Sequence, residues 1–198
     1  SSGTYTQLNT RVLGNLKTIR DYAAANEEWG TYLAATVLRA FTYQVLVDCY
    51  EQVPYTEAMN TAYPSPKYDD GLTVYQGVIA EIDDALAKAS ESDLVCSNFL
   101  FPSAGAQEWV RFANALKLKM YMRISGVADV QSAVDALVAE GNFPTSDVAW
   151  MGCWTDEGGK AGTGNTHIKN KDQKRIQADI QHRTGRDAHH RVGSAALQ

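Results

Sequence analysis

The chain has 198 residues, 44% of them apolar, and a formal charge of −5 from 18 Lys and Arg against 23 Asp and Glu. That length suits one domain with a real core, no apolar run approaches the ~20 residues of a membrane span, and the acidic balance argues against nucleic acid as a partner. The first ten residues are polar and show no signal peptide, as a mature or trimmed chain also would, and Cys49, Cys96 and Cys153 fit neither a disulfide framework nor a Cys-x-x-Cys site.

The first element spans about 5–25, where Leu8, Val12, Leu16, Ile19 and Ala23 recur at spacings of three and four, one face of a helix. A second helix covers about 31–50, with Leu33, Val37, Phe41 and Val45 every four residues and Leu38 and Leu46 widening that face. Its breadth predicts an inner helix covered on more than one side. Pro54 stops it, since proline lacks an amide donor and pushes Val53 out of the helical region. A loop over about 60–70 carries Pro64 and Pro66, and Asp69 or Asp70 caps the next helix.

That third helix, about 72–89, buries Leu72, Tyr75, Ile79, Ile82 and Leu86 and sets Asp84 and Lys88 as an i,i+4 pair on its wet side. Residues 90–105 form a loop. A fourth helix, about 106–125, buries Trp109, Phe112, Ala113, Leu116, Met120 and Ile124 and stops at Gly126. A fifth, about 129–139, ends at Gly141. The result is an all-α fold of helical pairs. No strict 34-residue period appears, so a repeat array follows from layout rather than self-similarity, and no segment alternates strongly enough to mark a strand.

The chain changes character near Trp154. Residues 1–154 hold every Trp, Tyr and Phe, with 10 Lys and Arg against 18 Asp and Glu; residues 155–198 hold no aromatic residue, all four His, and 8 Lys and Arg against 5 Asp and Glu. A domain boundary is expected there, followed by a basic tail with too little apolar surface to offset its ordering entropy.

Two segments carry a family resemblance. Leu38, Arg39, Ala40, Phe41, Tyr43, Leu46, Asp48, Tyr50, Val53, Pro54, Tyr55, Glu57 and Ala58 stand in the order and spacing of a signature of the SusD/RagB family, with Glu51 where that signature has glycine. Trp109, Phe112, Ala113, Asn114, Leu116, Lys117, Leu118 and Arg123 resemble a second family segment, and Tyr68, Asp69, Val74, Tyr75 and Ile82 fall between them as in that family. The resemblance covers about residues 5–150. It implies tetratricopeptide-like helix pairs with a loop-rich remainder carrying most of the ligand site. It also implies a lipid-anchored outer-membrane protein of Bacteroidota that captures oligosaccharides or other nutrients for a SusC-like TonB-dependent transporter. No enzymatic activity and no cofactor are implied.

The chain departs from the family in having no N-terminal lipidation Cys, in its shorter length, and in showing no likeness after Trp154. It therefore reads as an N-terminal fragment, with a truncated or out-of-frame reading and a genuine short variant both open. The alternative function is a helical-repeat interaction scaffold with no small-molecule ligand.

Within residues 1–154, Tyr63 and Tyr68 are the candidate ligand residues, because exposed aromatics in a proline-containing loop suit sugar stacking. Tyr50 and Trp109 read as core. Asp48 and Glu57 lack a His or Cys base in a recognisable arrangement, so Asp48 is expected to pair with Arg39 or Lys117 and no catalytic residue is assigned. His182, His189 and His190 match no zinc spacing, so no metal site is assigned. Residues 158–164 lack the Gly-Lys-Ser/Thr of a phosphate loop.

Overall fold

The computed structural model describes residues 2–98, 100–101, 105–146 and 148, which lie in one compact unit, Ser1–Ala149. It is helical almost throughout: α1 (Ser2–Thr6), a π-helical stretch (Gln7–Val12), α2 (Leu13–Ala25), α3 (Trp29–Tyr50), α4 (Gly71–Lys88), α5 (Ala106–Ile124) and α6 (Gln131–Glu140). Two short strands, β1 (Gln52–Val53) and β2 (Asp69–Asp70), pair antiparallel. Each is two residues long, too short for side-chain alternation to signal it. Residues 155–198, with the expected tail, its histidines and the glycine-rich run, lie outside the described residues.

The first helical face differs from the expected one. Leu13, Leu16 and Ala23 are buried, while Val12 and Ile19 are exposed. The cause is the π-helical stretch, where the Leu13 N–H donates to the Leu8 carbonyl, five residues back. A π turn holds one more residue than an α turn, so it advances the buried phase from Val12 to Leu13.

The α2–α3 turn is a Schellman cap. Glu28 N–H donates to the Ala23 carbonyl at 2.8 Å and Glu27 N–H to Ala24 at 3.3 Å, with Glu27 at φ 55°. So tight a turn folds α3 back along α2, the helical-hairpin geometry.

α3 is the inner helix, packed on α2, α4 and α5. Leu33, Val37, Tyr43 and Leu46 are fully buried, and small Ala34, Ala35 and Ala40 let neighbouring helices approach. Phe41 is not core, contrary to the four-residue pattern: it is 41% exposed. Three neighbours cover α3 on most sides, and Phe41, Val45 and Cys49 fall on the strip that remains more open.

α4 begins where Asp70 accepts from Thr73 N–H at 2.9 Å, the expected cap. It buries Val74, Tyr75, Val78, Ile79, Ile82 and Ala85, a wider face than expected, while Leu72 and Leu86 are only partly covered. Asp84 and Lys88 pair at 2.7 Å. On α5, Trp109, Ala113, Leu116, Met120 and Ile124 are buried as expected, with Phe112 half-buried against the core. α6 ends at Gly141, φ 67°, whose N–H caps Leu137. No helix among the described residues is long and apolar enough to cross a membrane.

Candidate functional site

The first family segment folds into a charged knot. Arg39 projects from α3 into a nearly closed site, only 9% exposed. Its Nε donates to Glu81 Oε2 on α4 at 2.9 Å, and Arg20 Nη1 from α2 reaches the same oxygen at 3.0 Å. The other carboxylate oxygen accepts from the Tyr55 hydroxyl at 2.8 Å. Arg39 also stacks on Tyr43, 4.8 Å from the ring centroid, with the Tyr55 ring at 5.8 Å. The two rings meet edge to face at 5.1 Å, and the Tyr43 hydroxyl lies 3.4 Å from the Pro54 carbonyl. Burial pushes the Tyr43 and Tyr55 hydroxyls above the ordinary tyrosine range, and the Glu81 charge pushes both further.

This knot joins α2, α3, α4 and the Val-Pro-Tyr corner. Gly77 on α4 makes room for it, because a Cβ there would overlap the Tyr55 ring. Its groups are turned on one another, so the arrangement is architectural and offers no free base or nucleophile.

The corner is locked a second time by Asp69. Its Oδ2 accepts from Tyr55 N–H at 3.2 Å and Thr56 N–H at 2.8 Å, and the Thr56 hydroxyl adds a bond at 2.9 Å. Burial alone would raise the Asp69 carboxyl, but these bonds and Lys67 at 3.5 Å hold it below the usual range. Beside it, Glu57 accepts from Lys67 N–H at 2.9 Å.

Asp48 pairs with neither expected cation. It takes a hydrogen bond from Tyr75 at 2.6 Å, one from Gln44 at 3.2 Å and an ion pair with Arg123 at 3.2 Å. Arg39 is held by Glu81, and Lys117 is paired with Asp83 across the α4–α5 interface at 2.5 Å. The Arg123 position belongs to the second family segment, so Asp48–Arg123 ties the two segments together.

Tyr63 and Tyr68 are both exposed, 46% and 59%. The structure does not join them to each other: Tyr63 closes a turn onto the Asn60 carbonyl, whereas the Tyr68 hydroxyl lies 3.4 Å from that of Tyr5. Tyr5 in turn meets Tyr50 edge to face at 4.9 Å. Tyr50 is therefore not core, as its helical spacing suggests, but 38% exposed at the last position of α3. Tyr5 carries no sequence signal for this role, because it lies on the far N-terminal helix. Trp109 is core, 1% exposed. Cys49 and Cys96 are exposed and unpaired, and among the described residues no group of three His, Cys, Asp or Glu side chains is placed to hold a metal.

The described residues form a helical stack closed by an internal ion-pair knot, with Tyr50 and Tyr68 exposed beside Tyr5. Residues 1–172 match the family model SusD-like 2, described as starch-binding and associating with the outer membrane, and the chain belongs to that family. The match runs past Trp154, where the sequence reading ends the likeness.

Solved structures agree. A SusD/RagB family protein of Bacteroides thetaiotaomicron superposes with a TM-score of 0.57 at 25% identity, covering 68% of this chain and 29% of that one. A candidate outer-membrane protein for nutrient binding from Bacteroides vulgatus gives 0.54 at 26% identity over 66% and 31%. A SusD homologue of Bacteroides fragilis gives 0.60 at 18% identity over 68% and 30%, a likeness of fold. The chain thus spans about three tenths of the length of these structures. No curated protein matches it significantly.

Proposed function

We propose that the chain is the helical part of an outer-membrane protein that captures oligosaccharides and delivers them to a SusC-like TonB-dependent transporter. The observation that carries this reading is the match to a starch-binding, outer-membrane family across residues 1–172. Arg39 and Tyr55, both signature positions, meet on Glu81, which supports the family's helical architecture in this chain. Tyr63 and Tyr68 are the proposed ligand contacts on the proline-containing loop. The exposed rings on this chain supply few polar partners for sugar hydroxyls, so the chain by itself is expected to bind no oligosaccharide tighter than roughly millimolar, about −4 kcal/mol. The transporter partnership is tested by mild detergent extraction of outer membranes from cells carrying an affinity tag on the whole gene's product. Co-purification of a TonB-dependent barrel in near-stoichiometric amount is the expected result. Recovery of the tagged protein in the soluble fraction without a barrel contradicts it.

A further inference from the structure

We propose that the groove between α4 and α6 binds a small aliphatic amine, with its stem on the apolar floor and its ammonium group at the acidic rim. The groove encloses about 230 Å³. α6 packs chiefly on α5, which leaves the space beside α4 open. Ile79 of α4 and Ile124 of α5, both buried, form the floor. Ala80, Ala128 and Ala133 line it with methyl groups only, so room remains where larger side chains would fill it. None of the tyrosines proposed as oligosaccharide contacts belongs to this groove, and the inference is independent of that reading.

The walls are fixed by backbone bonds. On one side stands a single face of α4, since Ile79, Ala80 and Asp83 lie at helical spacings of three and four. On the other side the connection from α5 to α6 is tightly turned. The Val127 and Ala128 N–H groups both donate to the Ile124 carbonyl at 2.9 Å, and the Val134 N–H donates to the Val130 carbonyl at 2.9 Å. A site already shaped in this way loses little freedom when a ligand enters.

Charge and size select the occupant. Asp83 and Asp129 both line the groove, and among the described residues no Lys, Arg or His does. Asp83 is already paired with Lys117 at 2.5 Å. Asp129 accepts a long bond of 3.4 Å from the Gln131 N–H and has no cation partner among the described residues. It therefore offers its charge to a cation in the groove. The Tyr121 hydroxyl also lines the site, and burial raises it above the ordinary tyrosine range, so it stays protonated and neutral. An anion would meet two carboxylates of its own sign. A metal ion lacks ligands, because among the described residues no group of three His, Cys, Asp or Glu side chains is placed to hold one. A neutral apolar molecule gains from the floor and nothing from the rim. The volume lies below the roughly 300–1,000 Å³ of sites that enclose drug-sized ligands, so the amine is a small one.

The test uses the 198-residue chain with ¹³C-labelled alanine and isoleucine methyl groups. It is titrated at neutral pH in separate arms with n-pentylamine, 1-pentanol, pentanoate and the peptide acetyl-Ala-Ala-Lys-Ala-Ala-amide. The expected result is a saturable shift of the Ala80, Ala128, Ala133 and Ile79 methyl signals with pentylamine, a weaker one with pentanol and none with pentanoate. Asp129→Asn should weaken the pentylamine response about twofold to fivefold, as loss of an exposed ion pair does, and leave the pentanol response unchanged. Ala80→Leu, at an exposed helical position where leucine is well tolerated, should fill the groove and remove both responses. Equal responses to pentanol and pentylamine, or an unchanged pentylamine response in Asp129→Asn, overturn the amine as ligand. No shift of these methyl groups in any arm overturns the site. A tighter response to the peptide than to pentylamine overturns a free amine as the occupant and assigns the groove to a lysine of a protein partner.

Discussion

Arg39 and Glu81, 42 residues apart in sequence, meet with Nε 2.9 Å from Oε2, and their contact fastens α3 to α4 at the point where the Val-Pro-Tyr corner crosses them. The carboxylate also carries Arg20 and the Tyr55 hydroxyl, so four separate segments depend on one acidic group. Removing it leaves two guanidinium groups in a largely closed site with no counter-charge.

Glu81→Gln should therefore destabilise the chain by about 2–3 kcal/mol, less than the roughly 3–5 kcal/mol of breaking a fully buried pair because Glu81 keeps some solvent contact. Arg39→Lys should also lose stability, since an ammonium cannot reproduce the planar stack on Tyr43 together with the Nε contact. Urea unfolding read by circular dichroism measures both. A midpoint unchanged in either variant would show that the knot is not a structural tie.

Glu51→Gly should stabilise the chain by about 1 kcal/mol. The left-handed φ of 64° at Glu51 costs a side-chain-bearing residue about 1–2 kcal/mol, and the greater freedom of glycine in the unfolded chain takes back part of that gain. Thermal melting checks it, and a lower Tm for the variant would contradict the strain.

Packing separates two aromatic positions that look alike in sequence. Trp109→Ala should cost about 3–5 kcal/mol, because the side chain is 1% exposed and packs on Phe101 with ring centroids at 5.1 Å. Phe41→Ala should cost under about 1 kcal/mol, as expected for a side chain 41% exposed. Gly77→Ala should cost about 1–3 kcal/mol by driving a methyl into the Tyr55 ring. Equal costs at Trp109 and Phe41 would contradict the placement of α3.

Stability should fall at both ends of the pH scale. Burial first, then neighbouring carboxylates, raise the Tyr55 and Tyr75 hydroxyls above the ordinary value near 10, and burial with Glu81 raises Tyr43. Above about pH 10 the unfolded chain releases these protons before the folded one does, so stability declines as pH rises further. Asp69 is depressed instead: burial opposes the shift, but the Thr56 and Tyr55 bonds prevail. Its contribution is present above about pH 4 and lost as pH falls through the folded value. A Tm plateau between about pH 5 and 9 with a fall on each side is expected, and Tyr43→Phe should soften the alkaline limb. An unchanged Tm at strongly alkaline pH would contradict the burial of these hydroxyls.

The helices and their order were readable because apolar spacing, the Asp70 cap and the Gly141 stop are local signals. The faces were less so. The π turn at Gln7–Val12 advances the phase of α2, and a periodic template has no place for the extra residue. For α3 the pattern is right at Leu33, Val37 and Leu46 and wrong at Phe41, because a helix packed on three neighbours buries polar Arg39, Thr36 and Gln44 while leaving Phe41 open. The candidate site was half readable: Tyr63 and Tyr68 follow from loop composition, but the meeting of Tyr68 with Tyr5 spans 63 residues and depends on tertiary packing. Glu81 was missed for the same reason, as its partners lie on other elements.

The central claim, that this chain belongs to a protein built to hold oligosaccharides, is tested most directly by glycan retention. The product of the whole gene, immobilised and folded by circular dichroism, is presented with a panel of oligosaccharides that includes maltoheptaose, chitohexaose and xylohexaose, and equilibrium binding is measured. The account predicts saturable binding of at least one of them with a Kd in the micromolar range, about −8 kcal/mol, weakened by Tyr68→Ala. Folded protein that retains none of the panel would contradict it.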